Sequence, residues 1–308
     1  MSQHEAGDAD SPGAVQEGRE AFPKGMREGA GERPPAPDID ISKPHVARMY
    51  DYFLGGKNNY AADREAAEQF LKVMPQVRAG AKANRKFLVD SVRWLVQEAG
   101  VRQFIDIGSG LPTQQNVHEA AQALDKNAKV VYVDNDPLVR VHAEVLLATT
   151  PNTIVLEADL RDPKALLDRP ELREHIDFSQ PVALLLVAVM HFILDTEEAY
   201  RIADTLFEAL PPGSYVVMSH GLLDENLAEA QQEGRAIYNR SNSGFTVRTR
   251  EEIARFFEGL TPVGPGLTHI ADWSIDGTRA QEDDVVSIDD LPALRDVPVL
   301  CCVARKDR

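Results

Sequence analysis

The stretch Phe104-Ile105-Asp106-Ile107-Gly108-Ser109-Gly110-Leu111-Pro112-Thr113 decides the fold. A short apolar run meets an acidic residue, then two glycines one residue apart, then a helical pattern from Gln114 to Leu124. Strand, tight turn and helix start in that order let backbone N–H groups approach a nucleotide-like ligand closely. A second apolar strand, Val130-Val131-Tyr132-Val133, ends in Asp134, 24 residues beyond Gly110. An acidic side chain about 20 residues past such a turn stands where a ribose diol is held. Together the two features predict a site for an adenosine-containing cofactor.

The turn departs from the dinucleotide pattern in a telling way. G-x-G-x-x-G needs a third glycine for close helix–strand packing under a pyrophosphate, and Thr113 stands at that position behind Pro112. Asp106, two residues before Gly108, fits D/E-x-G-x-G instead, the turn used for S-adenosylmethionine. That ligand carries no phosphate, and its cationic end tolerates an acidic strand end. A nicotinamide dinucleotide stays as the weaker alternative, and a plain strand–helix connection is the bland reading of the turn alone.

Outward from the turn, strand and helix signals alternate. Thr153–Glu157 reads as a third strand, Ala183–Val189 as a fourth and Ser214–Met218 as a fifth. The fourth is continuously apolar, as a strand buried on both faces of a parallel sheet should be. Asp195-Thr196-Glu197-Glu198 opens a helix that stops before Pro211-Pro212-Gly213. Helices are expected over Asp63–Met74, Ala79–Ala99, Glu225–Tyr238 and Thr249–Phe257, the last with Thr249 as N-cap. Leu267–Trp273 and Pro298–Val303 read as two closing strands around an acidic loop at Glu282-Asp283-Asp284. The prediction is an α/β fold: a doubly wound, Rossmann-like, seven-stranded sheet with helices on both faces and a C-terminal antiparallel edge hairpin. Residues 1–40, rich in Gly, Pro, Glu and Asp, are expected to form a disordered tail. Residues 41–308 form one domain, with 41–100 as a helical lid and 101–308 as the core.

Charge and composition narrow the partners. Among 308 residues the formal net charge is −16 and 43% are hydrophobic. A phosphate backbone is bound by Lys and Arg, so nucleic acid is disfavoured. The longest largely apolar run, Pro181–Leu194, falls short of the ~20 residues that span a bilayer, and the N-terminus shows no apolar signal segment. The two cysteines, Cys301 and Cys302, are adjacent in a strand and so point to opposite faces, which makes neither a disulfide nor a metal framework. The expectation is a cytoplasmic protein without a metal, acting on a small molecule, with a homodimer left open.

With these motifs placed, the chain resembles the class I S-adenosylmethionine-dependent methyltransferases, and more narrowly the bacterial family named simply S-adenosyl methyltransferase. The resemblance rests on Arg48-Met49-Tyr50-Asp51-Tyr52-Phe53-Leu54-Gly55-Gly56-Lys57-Asn58 and on the turn Asp106–Thr113. It extends through Val133-Asp134-Asn135-Asp136-Pro137, Arg161-Asp162-Pro163 and Leu186-Val187-Ala188-Val189-Met190-His191-Phe192. It implies the fold, S-adenosylmethionine as cofactor and S-adenosylhomocysteine as product, and hardly constrains the substrate.

Position then assigns roles. Gly108, Ser109 and Gly110 would lie beneath the amino-acid end of the cofactor, with Asp106 orienting that end through its ammonium or a water. Asp134 would take the ribose hydroxyls, Asn135 or Asp136 would neighbour the adenine, and Asp159 with Leu160 would meet its amino group. Asp136 and Asp159 also suit plain turn or cap roles. Thr113, Val189 and Met190 complete the expected surround. Tyr52, Gly56, Asn58 and Tyr60 would supply lid contacts, unless that stretch is only a packed helix and a turn. His191 and His220 follow the fourth and fifth strands, where a base would stand if the acceptor must lose a proton. Arg48, Arg240 and Arg248 would hold an anionic substrate, with surface charge as the default. The Asp/Asn-Pro-Pro-Tyr/Phe tetrad of many nucleic-acid amino-methyltransferases is replaced by Val189-Met190-His191-Phe192, which with the acidic charge points to a small molecule or a protein side chain as acceptor. A non-catalytic protein that binds S-adenosylmethionine is the alternative to an enzyme.

Overall fold

The apolar run Ala183–Val187 forms β4, a central strand of a seven-stranded sheet, with four of its residues buried. The others are β1 (Gln103–Ile107), β2 (Lys129–Asp134), β3 (Thr153–Glu157), β5 (Tyr215–Gly221), β6 (Thr261–His269) and β7 (Val299–Arg305), in the order β3-β2-β1-β4-β5-β7-β6. The structure, a computed structural model, describes residues 40–112, 115–139, 141, 150–275 and 294–308. The expected tail, save Asp40, therefore lies outside the described residues, as do Thr113 and the acidic loop.

Strands β1 to β5 pair in parallel, and β7 pairs antiparallel with both β5 and β6. The edge hairpin is thus present, but β6 starts at Thr261, ahead of the expected Leu267. Gly264, Pro265 and Gly266 hide it from a period-two reading, and the register shifts between Val263 and Thr268. Residues 270–272, expected in that strand, form a short 3-10 turn.

Side chains alternate between two layers, as the pleat requires. Phe104, Val130, Leu185, Val217 and Cys301 pack on α3 (Val77–Gln97) and α4 (Val117–Gln122). Ile105, Val131, Leu186, Met218 and Cys302 face the opposite layer. That layer holds α5 (Pro163–Leu167), α6 (Pro170–His175), α7 (Thr196–Ala209) and α9 (Arg250–Arg255). Adjacent Cys301 and Cys302 therefore sit in separate layers, and both are free. The short α5 and α6, each opened by a proline, carry too few turns to show a helical period. Caps set two helix starts as expected: Asp195 accepts the Glu198 N–H at 2.7 Å, and Thr249 forms a capping box with Glu252.

The N-terminal segment builds a helical cap, α1 (Val46–Phe53), α2 (Ala61–Val73) and α3, closed by α8 (Ala228–Tyr238). Its core is aromatic: Phe70 stands 6.0 Å from Phe53 and 5.1 Å from Tyr238, ring to ring.

The segment between β4 and α7 is pinned by a buried cation. Arg248, 1% exposed, donates through Nη1 to the Met190 carbonyl at 3.2 Å and to His220 Nε2 at 2.7 Å. Through Nη2 it donates to the Ile193 carbonyl at 2.8 Å. Burying a guanidinium is costly, and these charge-assisted bonds offset the cost. Such bonds stabilise by about 1.5–3 kcal/mol each, and losing several leaves acceptors orphaned. Arg248→Met is therefore expected to lower unfolding free energy by about 3 kcal/mol or more in urea titrations. A change below about 1 kcal/mol would show that the segment holds without the cation.

Candidate active site

The carboxyl ends of β1, β2, β4 and β5 open onto one cavity of about 260 Å³, lined from above by residues of α1 and α3. Ligands of open α/β sheets bind at this end, where the strand order reverses. Here the reversal falls between β1 and β4.

The glycine turn forms one wall. Gly108 and Gly110 adopt φ of +71° and +66°, a left-handed region costing other residues about 1–2 kcal/mol. A Cβ on Gly108 would lie 2.4 Å from Val189 Cγ2, so the turn packs directly on the segment after β4. A Cβ on Gly110 would meet nothing within 4 Å, which leaves room above the turn. Ser109 lines the cavity, its Oγ buried and without a hydrogen-bond partner. Across from the turn, Ala188 also has a positive φ of 56°. Its N–H donates to Ser219 Oγ at 2.9 Å, and that hydroxyl donates to Asn84 Oδ1 at 2.5 Å. Strain held in place by such surroundings marks functional sites.

Asp134 bridges the end of β2 to the turn. Its Oδ2 accepts the Gly110 N–H and its Oδ1 the Asp136 N–H, both at 2.9 Å. A carboxylate has about four acceptor positions, and with a further backbone bond from Asn135 at least one stays open to a ribose hydroxyl. Burial raises its pKa to about 6 against those backbone bonds. Asp106, 4% exposed, lies beneath α3; burial raises its pKa to about 7, opposed by the nearby Arg85 guanidinium and reinforced by Asp134. Asn135, Asp159, Leu160 and Arg161 continue this side. Asp159 is engaged by Arg161, whose Nε and Nη2 donate to it at 2.9 and 2.5 Å and whose hydrogen bonds hold its pKa down.

The two histidines separate sharply. His220 is fully buried; its Nδ1 donates to the Gly221 carbonyl at 2.8 Å while its Nε2 accepts from Arg248. Burial depresses its pKa to about 3. Neither nitrogen is available to a substrate, so His220 is withdrawn as a base. His191 lines the cavity, its ring 5.6 Å from that of His220. Its Nδ1 is sealed and unpartnered, so a bound molecule can reach the ring nitrogens only at Nε2. Burial, with His220 and Arg248 behind it, holds its pKa well below the ordinary histidine value.

Several expected contacts lie elsewhere. Asp136 faces the cap: its Oδ1 accepts the Leu138 N–H, and its Oδ2 stands 3.1 Å from His45 Nδ1 and 4.0 Å from Arg48 Nε. Met190 is buried in the core with only its carbonyl turned to Arg248. Val189 does line the cavity, against Gly108. Tyr52 points away, bonded to Glu68 and covered by Arg78. Gly56 and Asn58 are held by Asp51, which takes the Asn58 N–H at 2.9 Å and leaves no room for a Cβ at Gly56. Tyr60 caps α2 and lies under Arg48. The loop is thus an anchored turn, and the cap meets the cavity through Ala47, Tyr50, Asn84 and Arg85 instead. Of the three arginines, Arg48 is buried beside Asp63, Arg248 serves the clamp, and Arg240 is exposed. Asn84 and Arg85 were missed; polar residues within the buried face of α3 were the available signal.

The arrangement fits S-adenosylmethionine: open space over Gly110, the unpartnered Ser109 hydroxyl, a carboxylate at Asp134 open to a ribose hydroxyl, and both charges for an amino acid at Asp106 and Arg85. A Rossmann-like sheet with this turn and this carboxylate defines a nucleoside-cofactor protein of the α/β class. The model of the S-adenosyl methyltransferase family matches residues 32–307, and the chain belongs to that family. Two solved structures are similar over nearly their full length. A putative methyltransferase from Thermobifida fusca is 42% identical at TM-score 0.77, covering 88% of this chain and 98% of that one. A DUF574 family protein from Streptomyces avermitilis is 40% identical at TM-score 0.77, covering 87% and 99%. No curated protein matches the chain.

Two measurements probe the cofactor side. Asp134→Ala is expected to weaken S-adenosylhomocysteine binding about 10- to 100-fold by calorimetry, the loss expected for hydrogen bonds to a charged group. A loss under about threefold would contradict the ribose placement. The raised pKa of Asp106 also sets a pH dependence with a definite sign. A cationic ammonium needs the ionised carboxylate, so affinity falls as pH drops below about 7, by up to about tenfold per unit. Asp106→Asn should flatten that slope; an unchanged slope would place the ammonium elsewhere.

Proposed function

We propose that this protein transfers the methyl group of S-adenosylmethionine to a small molecule enclosed between the sheet and its helical cap. The observation that carries the reading is the continuity of one cavity from the glycine turn and Asp134 across to His191 and the cap. Its volume, about 260 Å³, is of the order of small-molecule sites, about 300–1,000 Å³. The net charge of −16 further disfavours a nucleic acid.

The bound cofactor supplies a methyl carbon made electrophilic by the adjoining sulfonium. The chain's task is alignment and exclusion of water. Gly108 and Gly110 let backbone approach the amino-acid end, where Asp106 takes the ammonium and Arg85 the carboxylate. Asp134 fixes the ribose, while Asn135, Asp159 and Leu160 flank the base. His191 is the remaining candidate proton acceptor. No helix among the described residues is long and apolar enough to cross a membrane, and we place the enzyme in the cytoplasm.

Incubation with methyl-labelled cofactor and fractionated small-molecule extracts, beside DNA and RNA, tests this reading. Labelled product is expected in an organic-extractable fraction. Sustained labelling of nucleic acid would overturn the acceptor class. Tight cofactor binding with no labelled product in any fraction would favour a binding protein over an enzyme.

A further inference from the structure

The cavity is divided by charge. Its ionisable lining other than histidine and tyrosine, namely Arg85, Asp106, Asp134, Asp159 and Arg161, lies on the cofactor side. Over β4 and β5, no Asp, Glu, Lys or Arg lines it among the described residues. That half is walled by Tyr50, Phe53, Phe70, Phe192, Tyr238 and Phe245. The rings form a continuous series: His191 to Phe245 at 5.1 Å, Phe245 to Tyr238 at 5.4 Å, and Tyr238 to Phe70 at 5.1 Å. These are the separations at which aromatic faces and edges attract one another.

We infer that this half takes a neutral aromatic hydroxy compound, whose hydroxyl hydrogen is accepted by His191 Nε2; the inference rests on the methyltransferase reading above. A charged acceptor would be stripped of water with no opposite charge to meet it. A flat apolar ring gains the edge and face contacts of the surrounding aromatics. His191 is the lining side chain that stands where β4 ends, beside Ala188 and Val189, and so at the boundary with the cofactor half. Burial, with His220 and Arg248 behind it, disfavours a second proton on the ring, so the neutral imidazole keeps one nitrogen as an acceptor.

The step balances simply. A lone pair of the acceptor oxygen forms the new bond to the methyl carbon as the carbon–sulfur bond breaks, its electron pair staying on sulfur. The oxygen becomes strongly acidic as it bonds carbon, so even a weakly basic imidazole can take the hydroxyl proton. That proton passes to water when the methyl ether leaves.

The test uses the full chain with four probes of one shape: 1-naphthol, 4-nitro-1-naphthol, 1-naphthylamine and 1-naphthoate. Calorimetry on protein saturated with S-adenosylhomocysteine is expected to show 1-naphthol binding, and naphthoate and the ionised nitro compound each at least about tenfold weaker. Phe245→Ala should weaken 1-naphthol at least about fivefold while S-adenosylhomocysteine affinity stays within about twofold. His191→Gln should slow methylation of 1-naphthol by about 10²-fold. The nitro compound, already ionised at neutral pH, needs no proton acceptor and should lose less than about tenfold in that variant. The inference is overturned if S-adenosylhomocysteine binds but 1-naphthol does not, or if naphthoate, naphthylamine or the ionised nitro compound is the preferred probe. It is overturned equally if His191→Gln slows both naphthols alike. Absence of S-adenosylhomocysteine binding would defeat the methyltransferase reading itself, and this inference with it.

Discussion

No side chain fits at residue 108, because Val189 already stands there. That contact joins the turn after β1 to the segment after β4, across the line where the strand order reverses. The cofactor half of the cavity lies on one side of the line and the aromatic half on the other. Two adjustments make the approach feasible. Gly108 takes a left-handed φ, and Ala188 takes one as well despite its Cβ. The hydrogen bond from the Ala188 N–H to Ser219, backed by Asn84 of α3, holds that strained residue in place. Donor and acceptor are thereby set against each other by the backbone itself, as alignment catalysis requires.

Buried charges are then distributed around this contact rather than in it. Asp134 ties the end of β2 to Gly110. Arg248 ties the segment after β4 to the end of β5 through the Met190, Ile193 and Asp195 carbonyls and the His220 imidazole. Asp63 and Asp136 tie the start of α1 to α2 and to the end of β2, through His45 and Arg48. Each anchor fixes one wall of the cavity, and the last two withdraw residues that sequence alone presents as candidate ligands: Arg248 with His220, and Arg48 with Asp136. Burial keeps the two neighbouring histidines neutral, and the Arg248 charge beside them acts in the same direction.

Sheet topology was legible in the sequence because the strands are apolar, short and bounded by turn chemistry. The run at β4 and the caps at Asp195 and Thr249 carry their own signals. The exceptions have local causes: glycines and a proline mask β6, and α5 and α6 are too short for periodicity. The glycine turn, Asp106 and Asp134 were legible as a site because their chemistry is tied to chain spacing. Direction was not legible. Tyr52, Asn58, Asp136 and Met190 are near the site in sequence yet turn from it, and Arg85 reaches it from a helix whose pattern reads as core. Likewise, a sequence shows two histidines after two strands, and only geometry shows that one is saturated by Arg248.

The most direct measurement is a crystal structure with S-adenosylhomocysteine bound. The ribose hydroxyls are expected on Asp134, the amino-acid end over Gly108–Gly110, and the sulfur facing the half of the cavity lined by His191. A ribose placed away from Asp134, or a nucleoside filling the aromatic half beneath Tyr238 and Phe245, would contradict the division of the cavity on which the account rests.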